Sequence, residues 1–364
     1  MPDDLPADPA SPSAPAHQRR PRYWGKNPRR FEEKYKEHDP ARYAETVAKV
    51  IAGGKTPAGS HRPIMVSEVL SALAPQPGEL AVDCTLGHGG HAEALLAHLQ
   101  PGGRLLGLDI DPVELPRTEA RLRSLGWQAS AFEAVRSNFA GLPQVLARAG
   151  LDGANLILAD LGVSSMQLDD PARGFSAKHD GPLDLRMNPE RGQPASRFLQ
   201  KLPVSQLVRL FIENADEPQA AVLAPALAGK LFPTTASLGR AIREALPRLD
   251  QPALDLTIRR VFQALRIAVN GEFDALDTFL RNLPACLRPG GRVAILTFHS
   301  GEDRRVKKAF AAGMRDGVYS EVTENVIRPT TEERHANPRS TSAKLRWARR
   351  ADGDSLGTEA PLSP

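Results

Sequence analysis

The segment Ala81-Val-Asp-Cys-Thr-Leu-Gly-His-Gly-Gly-His-Ala92 restricts the fold of this chain more than any other stretch. A short apolar run meets an acid, turns through Gly87, Gly89 and Gly90, and opens a helical stretch from His91 to Leu99. Strand, glycine turn and helix in that order build a parallel sheet. The glycines let a cofactor approach the backbone where a side chain would collide. Gly87, Gly89 and Ala92 satisfy the spacing G-x-G-x-x-G/A, so the loop by itself admits more than one nucleotide cofactor.

The rest of the chain fits that beginning. From His61, apolar runs ending in Gly or Asp alternate with helical stretches, the pattern of an α/β fold with crossover helices. Strands are expected at Leu80 to Cys84, Arg104 to Asp109, Ala129 to Ala134, Ala154 to Asp160 and Arg292 to Phe298. Between the last two lie a polar loop, Ser164 to Gln193, and amphipathic stretches at Val204 to Asn214, Pro218 to Leu231 and Ser237 to Leu246. An insertion of that length is a small helical domain rather than a connection. The expected division is a core of residues 59–165 and 258–350, interrupted by a substrate loop and helical domain at 166–257. Residues 1–58 and 351–364 are expected to be disordered, the first segment rich in Pro and basic residues.

Net charge is only +4 and the hydrophobic share 41%, values of a soluble globular protein without a strongly polyanion-seeking sum. The basic residues are clustered instead. Arg19, Arg20, Arg22, Lys26, Arg29 and Arg30 alternate with Tyr23, Trp24 and Phe31, a mixture that suits stacking on bases and equally a solvated tail. No apolar run reaches membrane-spanning length, and Cys84 and Cys286 form no CxxC pair, so a cytoplasmic, reducing location is expected.

Three acids mark the chemistry of the crevice by their positions. Asp109 ends the second strand, where a carboxylate can accept ribose hydroxyls; Asp83 precedes the glycines; Asp160 ends the fourth strand. Carboxylates around one crevice attract a cationic sulfonium and its ammonium and repel a pyrophosphate. That favours S-adenosylmethionine over a nicotinamide dinucleotide, although a nicotinamide-dependent dehydrogenase also fits the loop and Asp109. His88 and His91 have no acidic or cysteine partner at ligand spacing, so no metal is expected.

Together these stretches resemble one family, the bacterial ribosomal RNA small subunit methyltransferase H family. The likeness runs from His61 to Arg350 through His61-Arg-Pro-Ile-Met-Val-Ser-Glu-Val-Leu70, the glycine loop, Asp160-Leu-Gly-Val-Ser-Ser-Met-Gln-Leu-Asp-Asp170, Arg173-Gly-Phe-Ser176 and Asp180-Gly-Pro-Leu-Asp184. It continues through Phe262-Gln-Ala-Leu-Arg-Ile-Ala-Val-Asn270, Phe298-His-Ser300 with Glu302-Asp-Arg304, and Asn337-Pro-Arg339. The resemblance implies a Rossmann-like class I methyltransferase that uses S-adenosylmethionine to methylate N4 of a cytidine in the decoding centre of 16S rRNA, within the small subunit. It places cofactor contacts at Gly89, Gly90, His91, Asp109, Phe139, Asp160 and Gln167. Two departures are Gly301, where the family has leucine, and the long basic segment before His61.

The group that holds the cytosine nitrogen is not assigned by sequence. Many amino-methylating enzymes carry Asp/Asn-Pro-Pro-aromatic after the fourth strand, and Asp160-Leu-Gly-Val stands there instead. Asp180, Asp184 and His299 are candidates, and the helical insertion and the stretch Arg339 to Arg350 are expected to meet phosphates. Two rivals remain besides the dehydrogenase: an RNA-binding assembly factor without catalysis, and a methyltransferase of proteins or small molecules.

Overall fold

The computed structural model describes residues 63–352. The expected disorder of residues 1–58 and of residues beyond 352 lies outside the described residues. The strands are β1 (Leu80–Asp83), β2 (Arg104–Asp109), β3 (Phe132–Arg136), β4 (Ala154–Asp160), β5 (Leu287–Thr297), β6 (Tyr319–Val322) and β7 (Lys344–Arg350). They form one seven-stranded sheet in the order β3-β2-β1-β4-β5-β7-β6. β1 to β5 run parallel, and β7 is antiparallel to both β5 and β6.

Helices α1 (Val66–Leu73), α2 (Gly90–Leu99), α3 (Glu114–Ser124) and α4 (Leu142–Arg148) belong to the first half of the chain. After β4 come α5 (Ser165–Asp169), α6 (Ala195–Lys201), α7 (Val204–Ala215), α8 (Ala220–Leu227), α9 (Thr235–Ala245), α10 (Gln251–Asn270) and α11 (Glu272–Cys286). α12 (Ser300–Arg315) and α13 (Thr331–Ala336) separate the last three strands.

Strand periodicity of two divides the core. Leu80, Val82, Leu106, Ile157, Val293 and Ile295 face one apolar layer with Leu276, Phe279 and Leu283 of α11. Ala81, Leu105, Leu156, Leu158 and Leu296 face the other with Val69, Leu95, Leu96 and Leu122. Burying both faces is what parallel strands need, and each large side chain so covered contributes about 1.5–3 kcal/mol. A third apolar cluster holds the insertion together, with Leu207, Phe211, Leu223, Leu238, Ile242, Val261 and Leu265 at its centre.

Three local differences from the sequence expectation have simple causes. β3 begins at Phe132 because the N–H groups of Ala131 and Phe132 both return to the Gln128 carbonyl, at 3.0 and 2.9 Å, making Ala129 and Ser130 a turn. β5 begins earlier, at Leu287, and a bulge at Pro289-Gly-Gly carries pairing with β4 from Leu287 to Arg292. Residue 258, the expected point of return to the core, lies mid-helix: α10 is capped by Asp250, whose carboxylate accepts the Ala253 N–H at 2.8 Å, and it ends at Gly271 with φ 60°.

The closing segment forms a hairpin partner of β6, and β7 lies inside the sheet and not at its edge. Its cations are engaged: Arg346 and Lys344 both meet Asp303, at 2.7 and 3.2 Å, and Arg349 meets Glu321. Phosphate contact by this stretch has no support in that arrangement.

Candidate active site

The carboxyl ends of β2, β1, β4 and β5 stand side by side in that order. Adjacent strands lie about 4.8 Å apart, so the crevice above them spans about 14 Å. A cavity of about 340 Å³ occupies it, bordered by Gly87, Gly89, Gly90, His91, Asp109, Phe139, Asp160 and Gln167. Arg266, Asn270, Glu272, Phe273, Phe298 and Glu302 also border it. All seven residues marked by the resemblance therefore meet at one cavity.

At the β2 end, Asp109 is a bracket for the turn. Its two oxygens accept the N–H groups of Gly87 and Asp111, at 2.8 and 2.9 Å. The glycines serve packing as much as ligand approach. Gly89 has φ 77°, and a Cβ there would lie 2.9 Å from Thr118 and 3.1 Å from Leu122; one on Gly90 would meet Pro63 at 2.8 Å. Asp83 does not line the cavity. It is buried behind the turn, where it accepts the Thr85 N–H at 3.1 Å, while Thr85 Oγ1 in turn accepts the Asp160 N–H at 2.6 Å.

Burial pushes all three carboxyls up: Asp83 to about 7, Asp109 to about 6 and Asp160 to about 8, the last raised further by the charges of Asp83 and Glu302. Asp160 Oδ1 is buried with no hydrogen-bond partner, and its other oxygen lies 3.7 Å from His91 Nε2. A cationic ligand would relieve the cost of charging these acids; an anionic pyrophosphate would increase it. The residues present thus fit a sulfonium cofactor.

Gln167 and Phe139 line the cavity from structural posts. Gln167 closes a capping box with Ser164 at the start of α5 and donates its amide to Asp111 Oδ2 at 2.8 Å. Phe139 packs edge to face on Phe279 with ring centroids 5.4 Å apart. Asp111 was not marked from sequence, yet it is buried and central. The same Oδ2 receives Arg173 at 2.8 Å, and Arg173 also donates to the carbonyls of Arg186 and Met187.

The loop after β4 is thereby tied to the β2 turn. It is folded tightly on itself, because a Cβ on Gly174 or Gly181 would lie within 2.0 Å of the Pro182 or Pro171 carbonyl oxygen. Asn270 fixes its other side, donating to the Leu185 carbonyl and accepting the Met187 N–H, both at 2.8 Å.

At the β5 end, Glu302 accepts the Phe298 N–H at 2.8 Å and lies 3.2 Å from His299 Nε2; these contacts and Arg266 hold its carboxyl low against the opposing effect of burial. Arg266 and Glu272 form a two-pronged pair at 2.8 Å. Gly301 is explained by Phe273: a Cβ would lie 2.6 Å from that ring, which the Arg305 guanidinium covers at 3.6 Å.

None of the earlier acceptor candidates borders the cavity. Asp180 is exposed and takes the Ala236 N–H, Asp184 is paired with Arg186 at 2.7 and 2.8 Å, and His299 caps α12. Among the described residues, no group of three or more His, Cys, Asp or Glu is placed to hold a metal, and no helix is long and apolar enough to cross a membrane.

The antiparallel β7 set between β5 and β6 departs from the all-parallel order of dinucleotide-binding dehydrogenases. Sheet and crevice define a Rossmann-like methyltransferase of class I. The chain belongs to the MraW methylase family, which matches residues 58–351, and is a methyltransferase dependent on S-adenosylmethionine. It is 47% identical over 356 residues to ribosomal RNA small subunit methyltransferase H 1 of Lachnoclostridium phytofermentans, covering 95% of this chain and 97% of the relative. It is 48% identical over 343 residues to ribosomal RNA small subunit methyltransferase H 2 of Alkaliphilus metalliredigens, covering 92% and 98%. The solved structure of TrmN from Thermus thermophilus aligns with 79% of this chain and 48% of its own at 14% identity and a TM-score of 0.38.

Proposed function

We propose that this chain methylates N4 of a cytidine in the decoding centre of bacterial 16S rRNA, acting on the small ribosomal subunit. Two relatives that match nearly end to end are named small subunit rRNA methyltransferases, and the cytosine target follows from the family resemblance. The observation that carries the reading is the cavity at the strand ends, bordered by the raised carboxyls Asp109 and Asp160 and by polar residues such as Asn270 and Arg266.

Gly89, Gly90, His91, Asp109, Phe139, Asp160 and Gln167 would hold S-adenosylmethionine. When bound, that cofactor supplies an electrophilic methyl group. Asp109 accepts ribose hydroxyls, and Phe139 offers an aromatic surface to the base of the cofactor. Cytosine N4 is a weak nucleophile, because its lone pair is conjugated with the ring, so the chain contributes mainly alignment and the exclusion of water. Phe273, Phe298 and Leu276 form apolar wall at the β5 side. The target base leaves its stack to enter, a step cheapest in single-stranded RNA.

Phosphate contact falls to the helical insertion, where Arg197, Arg209, Arg240, Arg243, Arg248 and Arg259 are exposed. Each phosphate neutralised steepens the salt dependence of binding. The test is incorporation of labelled methyl groups into 30S subunits, with mass mapping of the modified base. One added methyl on a cytosine of 16S rRNA is expected. A label on protein, or none with an intact fold, would move the assignment to one of the rivals.

A further inference from the structure

Three phenylalanines border the cavity, and among the described residues no tyrosine or tryptophan does. Two of these rings are already engaged. Phe139, just beyond β3, packs edge to face on Phe279. Phe273 is buried, with the Arg305 guanidinium 3.6 Å from its centroid and the His299 ring 5.7 Å away. Phe298 differs from both. It is only partly buried, and among the described residues neither a second aromatic ring nor a cation lies over it.

Its position is set by two neighbouring strands. Asp160 of β4 is in register with Leu296 of β5, and the Leu161 N–H donates to the Leu296 carbonyl at 3.0 Å. Two residues further along each segment stand Gly162 and Phe298. A Cβ on Gly162, where φ is 98°, would lie 3.8 Å from the Phe298 ring and meet nothing else within 4 Å. The ring therefore stands beside open space above the β4 and β5 ends. Glu302 holds its backbone by accepting the Phe298 N–H at 2.8 Å, and the side chain packs at the margin of the apolar layer that contains Leu296 and Leu345. A methyl donor seated over β2 and β1 presents its methyl group toward β4, so the base that receives it belongs over β4 and β5, on the Phe298 side.

We propose that Phe298 is the stacking platform for the target base: its ring covers one face of the base after extrusion from the RNA and fixes the plane of that base relative to the methyl donor. This rests on the reading above that an rRNA base is the substrate. Extrusion deprives the base of its stacked neighbours, and an aromatic face in the pocket restores part of that loss. Every base has a π face, so the platform positions the base without selecting it.

The test is methyl transfer to 30S subunits by the full-length wild type and by Phe298 variants, with S-adenosylmethionine affinity measured alongside by calorimetry. Phe298→Leu and Phe298→Met keep apolar bulk and remove the π face, whereas Phe298→Tyr keeps both. In the Leu and Met variants kcat/KM for 30S subunits should fall about tenfold, the scale of one base–aromatic stack. Phe298→Tyr should stay within about threefold of wild type, and cofactor affinity should be unchanged in all three, because only the base loses a contact. A merely apolar wall would not distinguish leucine from phenylalanine. Wild-type transfer by the Leu and Met variants, or an equal loss in Phe298→Tyr, overturns the proposal. A parallel loss of cofactor affinity overturns it too, since the ring would then serve the cofactor. If wild type leaves the RNA unlabelled, the functional reading itself fails; labelled RNA with a Leu variant as fast as wild type defeats the Phe298 assignment alone.

Discussion

The two ends of the crevice are built in different ways. At the β1 and β2 end the contacts are short in sequence: Asp83 to Thr85, Asp109 to Asp111, and Gly87 back to Asp109. At the β4 and β5 end they join distant segments, with Arg173 reaching Asp111, Asn270 reaching Leu185 and Met187, and Arg339 reaching Asp169. The first end is built largely from the β1–β2 turn itself, with the Asp160 N–H reaching it through the Thr85 hydroxyl. The second exists only when the insertion, the loop and the core have all folded. The glycine-turn part of the cofactor side is thus mostly short-range, whereas Asp160, Gln167 and the substrate side are placed by contacts between distant segments.

The largest effect should come from cutting the long-range end. Arg173→Ala leaves Asp111 buried and without its cation, a change that costs about 3–5 kcal/mol when one partner of a buried pair is removed. Chemical denaturation measures it, and a loss under about 1 kcal/mol would show that the loop is not anchored as described. At the local end, Asp109→Ala should weaken S-adenosylmethionine binding about a hundredfold by calorimetry, since it removes a charged acceptor and frees two backbone donors. Normal affinity would remove Asp109 from the cofactor set.

The pH dependence is smaller and follows from the raised carboxyls. Their folded values of about 6, 7 and 8 lie above the unfolded 3.8, so the folded chain holds protons that the unfolded chain has released. Their contribution to stability is complete below about pH 3.8 and drains away as pH rises through those folded values. A cationic ligand favours the ionised forms, so cofactor affinity should rise on the order of tenfold between pH 6 and 8, and its thermal stabilisation should grow with it. Flat affinity across that range would contradict the electrostatic account. Asp184→Asn should do least: its pair with Arg186 stands apart from the cavity lining, and a change under about 1 kcal/mol in stability with unaltered cofactor affinity is expected.

The same contrast governs what could be read without coordinates. β1, β2 and β4, the glycine turn, Asp109 and Asp160 were legible because each is announced within a few residues by an apolar run, a glycine or a terminal acid. Asp111, Arg173, Asn270 and Glu302 were not, since their roles come from partners far along the chain; only the recurrence of their segments in a family motif marked Arg173, Asn270 and Glu302, and nothing marked Asp111. Asp180 and Asp184 misled for the same reason. Their loop does lie beyond a strand end, but its fold turns Asp180 toward the start of α9 and Asp184 toward Arg186. The role of Asp83 was half legible: its position was apparent, its burial behind the turn was not.

The most direct test of the account is a structure of the chain bound to S-adenosylmethionine. It predicts the ribose hydroxyls within hydrogen-bond distance of the Asp109 carboxylate, and the sulfonium over the glycine turn with its methyl group directed toward the β4 end. A donor lodged elsewhere, or one whose methyl group points away from Asp160, would contradict it.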